Sequence, residues 1–197
     1  MIIYEVGNGL YVNLTNKCTN RCDFCVRKTK DGFYGDLWLD HEPSAQEVIS
    51  ELEKTDLSSY SELVFCGYGE PTMRLEVLLA VAKYVRSVSQ ITIRINTNGQ
   101  GNLINGFDIT PLFDGIIDGV SISLNTANAR DYQALCHSDF GEMAYGALIE
   151  FAALCQKHVG KVALSVVETT ISDSDIEKCK MIAKEAGVIL KVREFIS

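Results

Sequence analysis

"YVNLTNKCTNRCDFC", residues 11–25, joins two patterns whose overlap decides the fold. Its first five residues alternate, Val12 and Leu14 on one side and Asn13 and Thr15 on the other. That is the period of a β-strand with two unlike faces. Its last eight residues hold three of the chain's seven cysteines, Cys18, Cys22 and Cys25, spaced C-x3-C-x2-C. A strand that runs straight into such a loop has to explain three thiols in one place and the lack of a fourth.

Working outward, five more β-rich stretches follow: "LVFC" (63–66), "ITIRIN" (91–96), "GVSISLN" (119–125), "KVALSVV" (161–167) and "ILKVREF" (189–195). "IIYEV" and a Gly7-Asn8-Gly9 turn ahead of the first strand predict an opening hairpin. Helical stripes fit between most of the strands. Ser44 and Glu47 form a capping box ahead of Ala45, Val48, Ile49 and Leu52. Leu78, Val81, Ala82, Val85 and Val88 make a second stripe, and Ala144, Ala147, Leu148, Phe151, Ala152 and Cys155 a third. A last helix starts at Ser172 or Asp173, passes Ile176, Cys179 and Ala183, and stops at Gly187.

Strands separated by helices predict parallel βα units. Six are too few for a closed eight-stranded barrel, which leaves an open sheet or a partial barrel with ligands at the carboxyl ends of the strands. Val120, Ile122 and Leu124 oppose Ser121, Ser123 and Asn125; Ile91, Ile93 and Ile95 oppose Thr92, Arg94, Asn96 and Asn98. Helices are expected on the apolar faces. The polar faces then line a wet or ligand-filled interior, because unpaired buried polar groups are costly. The alternative is an antiparallel sheet with one face in solvent, which helical connections disfavour.

The 197 residues suit a single domain over residues 1–197, and the 47% apolar content suits a globular protein. No apolar run is long enough to span a membrane, and no leader peptide is visible, so a cytoplasmic location is expected. The net charge of −8 argues against general nucleic-acid binding. Locally the balance reverses: Lys17, Arg21, Arg27, Lys28 and Lys30 stand against Asp23 alone over residues 17–30.

The cysteine triplet admits several readings. Core filler is plausible for Cys136, Cys155 and Cys179, but less so for three cysteines among Asn, Arg and Lys. A structural zinc needs a fourth ligand, for which His41 or Cys66 are candidates. A disulfide with a free thiol does not suit a reducing compartment. A four-iron cluster takes up to four thiolates, so three leave one iron open to a substrate or cofactor.

Here the sequence resembles the radical S-adenosylmethionine (SAM) superfamily, whose hallmark is this cysteine spacing in the loop after the first barrel strand. Phe24 matches the aromatic position before the last cysteine. The resemblance implies a partial (β/α)6 TIM-like barrel, a 4Fe-4S cluster on Cys18, Cys22 and Cys25, and bound S-adenosyl-L-methionine. "CGYGEPT" (66–72) is similar to the family's glycine-rich motif for the SAM amino group, with Tyr68, Gly69 and Glu70 in its positions. Glycines allow close backbone approach, and Glu70 offers an anion to an ammonium; an ordinary strand-to-helix turn is the plainer alternative. Asn98 in "NTNG" (96–99), then Ser123 and Asn125, occupy strand ends where the family contacts SAM or substrate. Arg193 faces either a carboxylate of the cofactor or a surface partner, Glu168 or Glu194. Cys66 reads as packing rather than site, and His137 and His158 as ordinary helix-associated residues. Residues 26–43, with Phe33, Tyr34 and Trp38, look like a lid or a surface loop.

By this resemblance the chain uses the cluster to cleave SAM reductively to a 5'-deoxyadenosyl radical, which abstracts hydrogen from a substrate, small molecule or peptide. The basic segment is expected to meet a one-electron donor of flavodoxin or ferredoxin type. The sequence stops just after the sixth strand, and a minimal core without a further domain or second cluster is expected, similar to the TatD-associated radical SAM proteins. Open sheet edges suit a protein partner or a second copy. The rival class is a non-enzymatic zinc or iron–sulfur module.

Overall fold

The computed structural model describes residues 1–28 and 36–194. It opens with the expected hairpin, β1 (Ile3–Val6) antiparallel to β2 (Gly9–Val12), with Gly7 at positive φ in the turn. From β2 on, every pairing is parallel: β3 (Glu62–Phe65), β4 (Thr92–Thr97), β5 (Gly119–Ser123), β6 (Lys161–Val167) and β7 (Ile189–Arg193), in chain order. This overturns the antiparallel alternative. Among the described residues β7 does not pair back onto β1, so six parallel strands form a barrel that stays open. Phe195, expected at the end of the last strand, lies outside the described residues.

Six helices cross between the strands: α1 (Ala45–Leu52), α2 (Leu75–Val88), α3 (Gly101–Asn105), α4 (Ala129–Cys136), α5 (Met143–Cys155) and α6 (Asp173–Glu185). Four coincide with the predicted stripes; α3 and α4 were not predicted. The capping box is present, Ser44 accepting from the Glu47 N–H and Glu47 from the Ser44 N–H. Such a cap contributes about 1 kcal/mol.

The alternation along each strand becomes the layering of the domain. Val12, Leu14, Ile93, Ile95, Val120, Ile122 and Leu124 are buried against the helices in one continuous core. Each such side chain contributes roughly 1.5–3 kcal/mol when fully buried. The opposite faces turn inward and leave two adjoining cavities, one at the carboxyl ends of the strands and one deeper in the barrel. No helix of the described residues is long and apolar enough to cross a membrane.

Candidate functional site

Four loops meet at the carboxyl ends of β2 to β5. The cysteine loop after β2 is seated on the end of α4: the Arg21 N–H donates to the Cys136 carbonyl (2.8 Å) and the Asp23 N–H to that of Leu135 (3.0 Å). Those carbonyls have no partner within the helix, so the loop satisfies them and gains its own footing. On its other side the loop takes the glycine-rich turn after β3. The Glu70 N–H donates to the Lys17 carbonyl at 2.8 Å. Gly69 lies so close that a Cβ there would sit 2.3 Å from the Thr15 carbonyl oxygen and 2.4 Å from that of Lys17. Only glycine permits this approach.

Glu70 ties that turn to the end of β4. One carboxylate oxygen accepts from the Thr72 N–H (3.1 Å), the Thr72 hydroxyl (2.7 Å) and the Thr97 hydroxyl (2.7 Å); the other accepts from the Asn98 N–H (2.7 Å). Burial pushes its carboxyl pKa up against the pull of these four donors. Asn98 in turn donates to the Thr19 hydroxyl (2.9 Å) and reaches the Cys18 sulfur at 3.9 Å. Beneath them lies a buried network that sequence reasoning missed. Gln100 accepts from Thr19 (2.7 Å) and Ser138 (3.2 Å), and donates to Asn20 (2.8 Å) and Tyr132 (3.1 Å). Asn20 also donates to the Tyr132 hydroxyl (2.9 Å), closing the ring.

The result is a cavity of about 230 Å³ walled by Cys18, Cys22, Phe24, Cys25, Tyr68, Gly69, Glu70, Asn98, Ser123, Asn125 and Arg193. All eleven predicted site residues therefore share one cavity. Their current partners differ. Glu70 and Asn98 are held by protein donors and acceptors, whereas Arg193 makes no ion pair with Glu168 or Glu194 among the described residues. Asn125 sits at φ 63°, a left-handed conformation that Asn tolerates better than most residues. Its amide donates to the Cys136 sulfur (3.3 Å), and its carbonyl oxygen is buried with no partner among the described residues.

All three cysteines line the cavity, and each has its own neighbours. Cys18 accepts from the Asn20 N–H and Cys25 from the Arg27 Nε, both at 3.4 Å, and Cys22 stands against Cys136. Burial pushes the Cys18 thiol up to about 12, with the Glu70 carboxylate adding to it. Cys22 is pushed up by its hydrogen bond with Cys136 and then by burial, and the same bond draws Cys136 down. Among the described residues no three His, Cys, Asp or Glu side chains are gathered tightly enough to hold one ion, as a structural zinc requires. A polynuclear cluster instead binds each thiolate to a different iron, which suits three cysteines lining one cavity. The donor set, with Glu70, Ser123 and Asn125 in the same lining, fits a cluster and a polar ligand together.

Cys136 is buried in the core as expected, and it also touches a site cysteine. His137 is helix-associated as expected, capping the end of α4, and it pairs with Asp23 at 3.0 Å. Other expectations are corrected. Cys66 lines both cavities instead of packing away from them. His41 is exposed and paired with Glu47 at 2.8 Å. The basic segment is largely neutralised: Lys17 pairs with Glu42 (3.3 Å), Arg21 with Asp139 (2.5 Å) and Lys28 with Asp23 (3.6 Å). Trp38 points to solvent and lines neither cavity, while Phe33, Tyr34 and Lys30 lie outside the described residues.

Comparison with known proteins agrees with this architecture. The family model of the Radical SAM superfamily matches residues 12–180. A radical SAM methyltransferase from Sphaerobacter thermophilus superposes with a TM-score of 0.69 at 17% identity, over 98% of this chain and 57% of that one. Streptococcus suis SuiB, solved bound to S-adenosylmethionine, gives 0.71 at 17% identity, over 96% of this chain and 39% of that one. A probable GTP 3',8-cyclase of Methanothermobacter marburgensis is 24% identical over 95% of this chain and 57% of its own length. The fold is thus the partial barrel of these proteins, and the chain belongs to the radical SAM superfamily. It spans about half the length of the curated relatives it matches.

Proposed function

We propose that this chain is a radical SAM enzyme core in which Cys18, Cys22 and Cys25 hold a 4Fe-4S cluster and the adjoining cavity seats S-adenosylmethionine. One observation carries the reading: the three cysteines of the loop line the same cavity as Glu70, Asn98, Ser123 and Asn125. With both groups bound, the chemistry supplied is one-electron cleavage of the sulfonium carbon–sulfur bond, giving a 5'-deoxyadenosyl radical that removes hydrogen from a substrate.

The residues of the chain bind, orient and shield. Gly69 brings the turn after β3 against the cysteine loop, so that backbone and thiols share one rim. Glu70 fixes the ends of β3 and β4 through its four donors and adds a negative charge attractive to the SAM ammonium. Asn98 steadies the Cys18 side of the loop, and Ser123 and Asn125 offer polar atoms to the cofactor's ribose or carboxylate. Phe24 and Tyr68 wall the cavity and limit water, and Arg193 offers a cation to a carboxylate.

The narrower placement among TatD-associated proteins belongs to this proposal, as do a cytoplasmic setting, a homo-oligomer or protein partner at the sheet edges, and a flavodoxin- or ferredoxin-type donor. The similar proteins include a probable GTP 3',8-cyclase and SuiB bound to a precursor peptide, which leaves small molecule or peptide open as substrate. Reduction by flavodoxin that is unchanged by Lys28→Glu at low salt would remove the basic segment as the donor's docking surface.

The test is anaerobic reconstitution with iron and sulfide, followed by dithionite and SAM. We expect 5'-deoxyadenosine to form with the wild-type chain and not with Cys22→Ala. Equal amounts from both would end the enzyme reading and favour a non-catalytic iron–sulfur or zinc module.

A further inference from the structure

The deeper cavity is lined mostly by residues outside the proposed cofactor site. It is a groove of about 870 Å³ that runs from the amino ends of β3–β7 up to Cys66, Gly67, Asn96 and Arg193, where it shares a wall with the smaller cavity. In closed barrels of this kind, layers of bulky branched side chains fill that space. Here the inward positions of β5 and β6 carry Gly119, Ser121 and Ala163, and the interior stays hollow.

Its charge is the reverse of the chain's. The groove is lined by Arg94, Lys161, Lys191 and Arg193 against a single carboxylate, Glu62, in a chain of net charge −8. Glu62 pairs with Arg94 through two contacts of 2.9 and 2.6 Å, and Lys191 and Lys161 act on it only at longer range, without an ion pair. Among the described residues, Lys161, Lys191 and Arg193 make no ion pair and no side-chain hydrogen bond. A cleft lined by one sign of charge concentrates ligands of the other.

We infer that this groove is the substrate site and that the substrate is an anion, its phosphate or carboxylate group held by Lys161 and Lys191. Arg193 stands at the shared wall, so an anion anchored below presents its other end to the cofactor cavity. The assignment as substrate site rests on the radical SAM reading; the anion site itself does not.

The test measures binding to the full chain, without reduction or turnover. The probes are tripolyphosphate, tricarballylate and, as the opposite charge, spermidine. One of the two anions binds at low salt, weakens as salt screens the lysines, and binds on the order of tenfold more weakly to a Lys161→Glu/Lys191→Glu double variant. A preference for tripolyphosphate assigns a phosphate-bearing substrate, and for tricarballylate a carboxylate. If charge reversal prevents folding, Lys161→Gln/Lys191→Gln serves, with circular dichroism as the check. Absence of anion binding, equal binding of spermidine, or a folded variant that binds like wild type overturns the inference. Formation of 5'-deoxyadenosine by the wild-type chain separates the two levels. Its presence without anion binding removes the groove assignment alone, and its absence with anion binding removes only the link to radical chemistry.

Discussion

The two cavities of this barrel are finished to different degrees. Around the upper one the groups that join the loops are paired within the chain: Glu70 takes four donors, and Gln100 knits Thr19, Asn20, Tyr132 and Ser138 into one buried network. Along the lower one Lys161, Lys191 and Arg193 make no ion pair or side-chain hydrogen bond among the described residues, and small residues leave the space hollow. The difference separates scaffold from ligand site. Groups satisfied within the chain fix geometry before anything binds, while groups left unsatisfied mark where a ligand completes the structure. By that test Asn125 belongs with the second kind although it sits in the first region.

The sharpest way to break the contrast is at Gly69. A Cβ there meets two backbone carbonyls, which cannot rotate away. Gly69→Ala is therefore expected to cost about 3 kcal/mol, as overpacking does, and to lower iron content after reconstitution. Gly146 supplies the control. It lies exposed inside α5 with nothing near its Cβ position, so Gly146→Ala is expected to stabilise by about 0.5–1 kcal/mol. Thermal or denaturant melts measure both; equal effects would mean the turn does not dock as described.

Gln100→Ala should come next, at about 2–3 kcal/mol, because it leaves Asn20, Thr19 and Ser138 buried with unmet hydrogen bonds. Its iron content should fall further than its stability alone would explain, since Thr19 and Asn20 belong to the cysteine loop. A variant that melts early yet loads iron like wild type would separate the network from the site.

The smallest effect is expected in the lower cavity. Arg94 holds the Glu62 carboxyl below its usual range, chiefly by their hydrogen bonds. The folded pKa is lowered, so the stabilisation is complete above the ordinary carboxyl pKa and is lost as pH falls through the lowered value. Glu62→Gln should cost on the order of 1 kcal/mol at neutral pH, with the gap from wild type closing in acid. A gap that persists at low pH would mean that packing, not charge, holds Arg94 in place.

Much of this was legible in the sequence, and the rest has physical reasons for being hidden. Alternation on β2, β4 and β5 gave both the buried and the cavity faces, because every second residue of a strand must choose a side. The cysteine spacing located the site, since its ligands are local. The helices α3 and α4 escaped notice: one has five residues, and the other repeats few apolar positions. Gln100 could not be found at all, because its partners lie up to 81 residues away and contacts between polar loops have no period. The pairing of the basic segment was hidden for a similar reason, as Glu42 and Asp139, its partners, lie outside residues 17–30.

The central claim is that three cysteines hold a cluster whose fourth iron is left to the cofactor. Electron paramagnetic resonance of the reduced, reconstituted chain tests it most directly. Adding S-adenosylmethionine should shift the cluster signal in the wild-type chain, because the cofactor becomes a ligand of the free iron. A signal indifferent to SAM, or a metal centre ligated by protein on every side, would contradict it.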